Sequence, residues 1–503
     1  MAEIVPHVLA ALPIAVAALL AFALGEGRAA KVGGIAQGAA LLSFASALAL
    51  VRSVDAVAAV MLVLVTFIGF IVVRYSDSYL RAEPGQARFT GWLCATLASV
   101  ILLVAAPTLP LLIAAWIATS LFLHRLLLFY PERAAAQRAA RKKFVTARIG
   151  DVALIGAAAC LWLAYRSIDI ATILAAARDG FGGGWAIGGA ALLAIAALLK
   201  SAQFPTHGWL TEVMETPTPV SALLHAGVIN AGGFLLIRFA DVMLLAPGVL
   251  AILVMVGGLT AIIGGLVMLT QPAVKTSLAW STIAQMGFMI LQCGLALFPL
   301  ALLHIVAHSL YKAHAFLAAG GAVERIAAAR RPGPVAVPGP KSVFAAFALA
   351  LGIYVVVGLA FGVWHKSPQA IALGAILIFG TAYLIAQGLA DAAPRALTRA
   401  TALYATAAAV GYFALQAGAS WLMAGTLPAT PVPGPLEWAL IVLAVISFGA
   451  VAVAQAMFPL WAYHPAATGL RVHLANGLYA NALFDRLLGG WSTSKSAQAL
   501  ETR

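Results

Sequence analysis

Trp185-Ala-Ile-Gly-Gly-Ala-Ala-Leu-Leu-Ala-Ile-Ala-Ala-Leu-Leu-Lys200 is an apolar run that ends on a lysine, and it continues as Ser201-Ala-Gln-Phe-Pro205. With its neighbours it approaches the roughly 20 apolar residues that cross a bilayer as a helix. A lysine at membrane depth costs roughly 2.5–3.5 kcal/mol on insertion scales, so such a residue as a rule has a functional partner. Pro205 cannot continue a helix. A broken helix carrying a charge near the bilayer middle is the architecture of ion-coupled transport.

The rest of the chain agrees. Of its 503 residues, 63% are hydrophobic and 9% charged, which excludes an ordinary soluble domain. About 15 apolar segments of spanning length follow one another, from residues 4–24 to 437–460. The predicted fold is an all-α polytopic membrane protein with about 14–15 transmembrane helices. A net charge of +13 would suggest nucleic acid in a soluble protein. Here the basic residues sit in loops, so topology explains them and no nucleic-acid partner is expected. Arg133, Arg138, Arg141, Lys142 and Lys143 fall between Arg125 and Arg148; a second group lies in 74–88; Arg325, Arg330 and Arg331 lie in 321–341. Counted through the helices, all three groups share one side with Arg395 and Arg399, while 106–110, 292–300 and 420–436 on the other side are nearly bare. The expected placement is a multi-pass protein of a bacterial inner membrane, N-terminus outside and C-terminus cytoplasmic. Cys94, Cys160 and Cys293 are scattered and form no CxxC pair, so neither a disulfide framework nor a metal site is expected on this chain. The first apolar run has no basic residues before it and reads as the first spanning helix.

Residues 1–464 read as one transmembrane domain. Inverted repeats are expected over roughly 90–240 and 246–390, because Trp364-His-Lys-Ser-Pro368 again sets a lysine, Lys366, before a proline at a helix end. Residues 465–503 read as a cytoplasmic amphipathic tail, with Leu470, Leu474, Leu478, Leu483 and Leu487 at near-helical spacing among polar residues. Such a helix lies on the membrane surface or against a partner.

Beyond Lys200, the polar residues within apolar segments are His225, Lys275, His304, His308, Lys312 and His314. His304, His308 and Lys312 are spaced i, i+4, i+8 and share one helix face. A histidine–lysine file of this kind can relay protons. Asn230 loosens the helix that carries His225. A plainer role exists for some: His304 and His314 as hydrogen bonders between helices, and Lys275 as a lysine snorkelling to an interface. Acidic partners are few: Glu212 and Glu215 after the Pro205 break, and Asp151 just beyond Arg148. A buried lysine either has a counter-ion or gives up its proton, and switching between the two would itself move a proton. Gln203 is a supporting polar group in the break.

Five ordered motifs carry a resemblance: Arg148-Ile-Gly-Asp151, Lys200-Ser-Ala-Gln-Phe-Pro205, Pro217-Thr-Pro-Val-Ser-Ala-Leu-Leu-His225, Lys275-Thr-Ser-Leu-Ala-Trp-Ser-Thr-Ile-Ala-Gln-Met-Gly287 and His308-Ser-Leu-Tyr-Lys-Ala-His-Ala-Phe316. The stretch 141–321 resembles the proton-translocating antiporter-like subunits of respiratory complex I and of Mrp-type Na+/H+ antiporters. The resemblance implies that Lys200 is a central proton carrier, that His225, His308 and Lys312 belong to a central relay, and that Lys366 loosely matches the lysine of a second broken helix. It also implies a glutamate straight after a tryptophan as ion-pair partner of the lysine. Here the segment reads Ala115-Trp-Ile-Ala-Thr-Ser120, so Ile117 stands at that place.

His207-Gly-Trp-Leu-Thr-Glu-Val-Met-Glu-Thr-Pro-Thr-Pro219 and Val472-His-Leu-Ala-Asn-Gly-Leu-Tyr-Ala-Asn-Ala-Leu-Phe-Asp-Arg486 resemble the membrane subunits of Dab-type inorganic-carbon accumulation complexes. That resemblance implies a large cytoplasmic zinc partner, DabA, related to β-carbonic anhydrases, with an H+ or Na+ gradient driving one-way CO2 hydration there. This chain would then be a transport subunit and not itself an enzyme, with no cofactor of its own and with lipid and the cation as its small partners. The alternative is a subunit of a complex I-like proton pump or a multisubunit antiporter. The missing glutamate argues against it.

Overall fold

The computed structural model describes residues 8–321, 339–389 and 395–487. Arg325, Arg330, Arg331, residues 488–503 and the side chains of Glu215 and Leu487 lie outside the described residues. The first half runs α1 Leu12–Leu24, α2 Ala29–Ala49, α3 Ala56–Tyr79, α4 Gln86–Ala105, α5 Leu109–Leu127, α6 Ala134–Tyr165 and α7 Gly183–Lys200. The middle runs α8 Thr218–Ala226, α9 Ala231–Arg238, α10 Pro247–Met268, α11 Val274–Gly294 and α12 Phe298–Leu317. The last part runs α13 Pro340–Ala360, α14 Pro368–Gly388, α15 Arg395–Leu422, α16 Pro435–Ala456, α17 Pro465–Ala475 and α18 Ala480–Leu487.

Among the described residues, 11 helices are long and apolar enough to cross a membrane, with α8 and α9 counted as one. The shorter α1 and α14 and the more polar α11 and α15 stand in the same succession, so every expected segment is helical. The architecture is all-α and polytopic. Helix starts follow local chemistry. Proline occupies the first turn of α5, α8, α10, α12, α13, α14 and α16, where a missing N–H costs nothing. The Asp55 side chain caps α3 by accepting from the Ala58 N–H at 3.0 Å.

Contacts sort the connections onto two faces. On one, Glu26 accepts from the Ala87 and Arg88 N–H groups, Tyr130 donates to Glu83, and Gln271 donates to the Ala475 carbonyl. This face also carries Arg138, Lys142 and the tail, and we call it the basic face. On the opposite face Leu109 pairs with Ile168, Arg178 with Asp241 and with the Thr426 carbonyl, and Gln369 with the Pro431 carbonyl.

α10 and α11 pack through glycines. A Cβ on Gly287 would lie 2.7 Å from the Gly257 carbonyl oxygen, and Gly257, Gly264 and Gly294 are equally closed off by backbone. Small residues let helix backbones approach where lipid offers no hydrophobic drive for association. A main core cluster joins α1–α12, while α13, α14 and α15 build a separate one around Tyr354, Ile385 and Phe413.

Two elements depart from expectation. α6 begins at Ala134, well before the apolar segment, because Ala134-Ala-Ala-Gln-Arg-Ala-Ala-Arg-Lys-Lys143 is made of strong helix formers. Its 32 residues extend about 48 Å, well beyond a hydrocarbon core of about 30 Å. The described part of the tail, 465–487, is two short helices instead of one. It turns at Gly477–Tyr479, where Leu478 and Tyr479 have positive φ, and α18 folds back onto the basic face.

Candidate ion-translocation site

The Lys200 centre is built where α7 stops. Ser201 and Ala202 leave the helix, Ala202 at φ 49°, and Pro205 follows. The break is braced from outside: the Phe204 N–H donates to Thr260 Oγ1, and Ser201 Oγ donates to the Ile229 carbonyl. Ile229 lies in a second interruption, the 3-10 turn Val228–Asn230 between α8 and α9. Two broken helices therefore meet beside Lys200.

Lys200 Nζ sits over the face of Trp116, 4.4 Å from the ring centroid, a cation–π contact. The Trp116 indole N–H donates to Asp151 Oδ1 at 3.1 Å, and Arg148 forms an ion pair with Asp151 Oδ2 at 2.7 Å. Trp116 is 1% exposed and Asp151 5%. One tryptophan thus holds the lysine on its face and the nearest carboxylate on its edge. Ile117 is partly buried against the main core. Asp151, on the neighbouring helix α6, is the carboxylate that shares Trp116 with Lys200.

The second centre lies between α8, α11 and α12. His225 Nδ1 bonds to Thr282 Oγ1 at 3.0 Å, and its ring stacks on Phe316 at 4.4 Å. Lys312 Nζ donates to Ser281 Oγ at 2.8 Å and to the Leu278 carbonyl at 3.1 Å. Adjacent residues of α11, Ser281 and Thr282, therefore hold the lysine and the histidine. Asn230 donates to Ser309 Oγ at 2.8 Å, tying the α8–α9 break to α12. His308 is buried, and its ring centroid is 6.1 Å from that of the partly exposed His304. Both His308 nitrogens, His225 Nε2 and His304 Nε2 are buried without a protein partner among the described residues. Buried polar atoms of this kind are as a rule satisfied by ordered water.

Other expected site residues stand apart. Lys275 sits in the first turn of α11, partly exposed at the basic face, which fits snorkelling. His314 is exposed. Lys366 is not inside a helix. α13 ends at Ala360, Gly362 takes a left-handed turn at φ 67°, and Pro368 opens α14, so Lys366 lies in the connection with its Nζ 5.6 Å from the Phe413 ring. Phe413 belongs to the separate α13–α15 cluster. Gln203 donates to the Ser201 carbonyl and so braces the break from within.

Two buried lysines escaped the sequence reading because they count as loop charges there. Lys142, 1% exposed, bonds to Glu212 at 3.0 Å, to Asp485 at 2.5 Å and to Asn481. Lys143 donates to the Ser120 carbonyl and hydroxyl. The alanine-rich helical pattern before them was the available signal.

Fold and site define a membrane subunit of the antiporter class. A family model described as NADH:quinone oxidoreductase/Mrp antiporter, transmembrane, matches residues 106–331, and one described as the N-terminus of complex I chain 5 matches 45–90. The probable inorganic carbon transporter subunit DabB2 of Halothiobacillus neapolitanus is 39% identical over 461 residues, 88% of this chain and 80% of that protein. The chain therefore belongs to the DabB-type inorganic carbon transporter subunits within the complex I/Mrp antiporter-like family. The DabB protein of Hydrogenovibrio crunogenus is 48% identical over 275 residues, 53% of this chain and 52% of that protein. That match spans about half the length of the relative. NAD(P)H-quinone oxidoreductase chain 5 of Synechocystis is 37% identical over 277 residues, 54% of this chain and 40% of that protein. The Mrp complex from Dietzia shares the fold, with a TM-score of 0.58 at 24% identity over 100% of this chain and 59% of the other. So does respiratory complex I from Thermus thermophilus, with a TM-score of 0.53 at 21% identity over 90% and 98%.

Proposed function

We propose that this chain carries a cation, H+ or Na+, down its gradient, and that the flow drives CO2 hydration in a zinc-containing, β-carbonic-anhydrase-like partner of the DabA type. Bicarbonate then accumulates. The observation that carries this reading is the Lys200 centre, a lysine at a helix break sharing one tryptophan with a buried aspartate. In a low-dielectric site a lysine and its counter-charge interact far more strongly than in water. Movement of Lys200 toward or away from Asp151 therefore changes how firmly its proton is held. Arg148 anchors the aspartate. His225, His308 and Lys312 form the onward path, and water at their unpaired nitrogens would bridge them.

The coupling is chemically coherent. Hydration of CO2 is reversible, and tying that step in the partner to the downhill flow of the cation makes the reverse reaction unfavourable. The carbon chemistry and the zinc belong to the partner, docked on the basic face, which this reading places in the cytoplasm.

The test is accumulation of labelled inorganic carbon by cells that carry both subunits, with and without protonophore or sodium ionophore. Lys200→Gln should abolish accumulation while the complex still assembles. Full accumulation by Lys200→Gln would sink the reading. Purification in mild detergent should recover one large soluble zinc protein; several small membrane subunits without zinc would favour a respiratory or antiporter complex.

A further inference from the structure

Lys143 is 5% exposed, and its Nζ donates to the Ser120 carbonyl at 2.8 Å and to Ser120 Oγ at 2.9 Å. An ammonium has three donor positions, so one is left over. Lys143 and Lys200 line the same cavity, of about 20 Å³, walled by Leu123, Leu199, Trp209 and Val228 with Thr146 as a further polar group. A volume of about 10–15 Å³ holds one water molecule. Lys143 lies eight residues before Asp151 on α6, about 12 Å nearer the basic face along the axis. The charged groups acting on it are Lys200 from α7 and Arg148 and Asp151 from its own helix. His124, one turn after Ser120 on α5, also faces it electrostatically.

We propose that Lys143 is a proton-carrying residue of this chain, linked to Lys200 by one water molecule and forming the port of the path toward the basic face. This rests on the reading of Lys200 as a carrier and takes the proton as the cation. In the transfer an N–H bond of the Lys200 ammonium breaks as an O–H bond forms on the water. A different O–H bond of that water breaks as an N–H bond forms on the Lys143 amine. Lys200 is left neutral, Lys143 charged and the water unchanged. Two ammonium groups across so small a cavity repel strongly at low dielectric, so the pair holds one transferable proton at a time. Ser120 positions the Lys143 amine, and the Trp116 ring one turn earlier on α5 receives Lys200. The same helix face therefore sets both ends of the step.

The experiment uses inverted native-membrane vesicles holding the full chain and its partner, with proton flux followed by a pH-sensitive dye. Lys143→Gln and Lys143→Arg should each lower flux about 100-fold, the scale of a lost proton-transfer group. Arginine keeps the charge but does not give up its proton, so a structural or electrostatic role would survive in Lys143→Arg and a relay would not. Lys143→His should restore flux to within about tenfold of wild type and make it fall at acid pH, where imidazole stays charged. Wild-type flux in Lys143→Arg would overturn the proposal, as would failure of Lys143→His in a chain that still assembles with its partner. The two readings separate cleanly. If Lys200→Gln keeps full flux, the Lys200 path itself is refuted. If Lys200→Gln is silent and Lys143→Arg is normal, only the Lys143 step falls.

Discussion

Replacing Asp485 with asparagine should loosen the tail without unfolding the membrane domain. α18 is fastened to the basic face by the buried Lys142, which pairs with Asp485 at 2.5 Å and with Glu212 at 3.0 Å, while Asn481 donates to Glu212 at 2.8 Å. A hydrogen bond to a charged group is worth about 1.5–3 kcal/mol. The Asp485 side chain is 26% exposed, so solvent screens it and the lower end applies, about 1.5–2 kcal/mol. Each 1.4 kcal/mol is tenfold, so local opening of α18 should become about 10–30-fold more frequent. Amide hydrogen exchange of the peptide 477–487 in the purified complex reads this directly, with 247–268 as an internal standard. Lys142→Met removes the shared cation and leaves two carboxylates facing each other; its effect should exceed 100-fold, on the scale of about 3–5 kcal/mol for breaking a buried pair. Exchange within about twofold of wild type in both variants would mean that α18 is held by apolar packing and that the ionic contact is incidental.

Trp116→Phe keeps a ring for Lys200 but loses the N–H that holds Asp151, so carbon accumulation should fall about 3–10-fold at unchanged expression, a cost of about 1 kcal/mol; an unchanged rate would show that Arg148 alone fixes the aspartate. Ile117→Glu should bring no gain in flux if the carboxylate of Asp151 across Trp116 suffices for Lys200; a clear rise would show that it does not. Gly287→Leu should abolish stable expression, since even a Cβ there meets the α10 backbone and overpacking costs about 1–3 kcal/mol or more; a normal yield would refute the close α10–α11 contact. Arg178→Ala breaks the bidentate contact with Asp241 on the face opposite the tail and should lower thermal stability while leaving ion flux intact; loss of flux at full stability would place that pair in the path.

Hydropathy and proline placement made the helices legible, because bilayer thickness imposes a length that sequence displays directly. The break after Lys200 was visible for a related reason: a buried charge and a ring that blocks the helical hydrogen bond both stand out against an unbroken apolar run. The i, i+4, i+8 file on α12 was readable as a helix face, but its depth was not: His308 and Lys312 are buried, while His304 is only partly so. Partners distant in sequence were out of reach. Lys143 meets a residue 23 positions away and Lys142 one 339 positions away, and periodicity holds no information about either. Lys366 shares with Lys200 only a proline that follows it: the left-handed Gly362 ends the preceding helix first, a local stop that hydropathy does not display.

Lys142 and Lys143 are consecutive residues on one rigid rod. Consecutive side chains on an α-helix diverge by about 100° and differ by 1.5 Å in height, so one neighbour grips the tail and the other reaches the interior cavity. Their backbones move together. A pull on α18 by whatever docks there would turn or slide α6 like a camshaft, and the lobe on its far side would widen or close the gap in front of Lys200. The chain would thus hold a mechanical lever with its handle on the surface and its working end inside the membrane, separated by a single peptide bond.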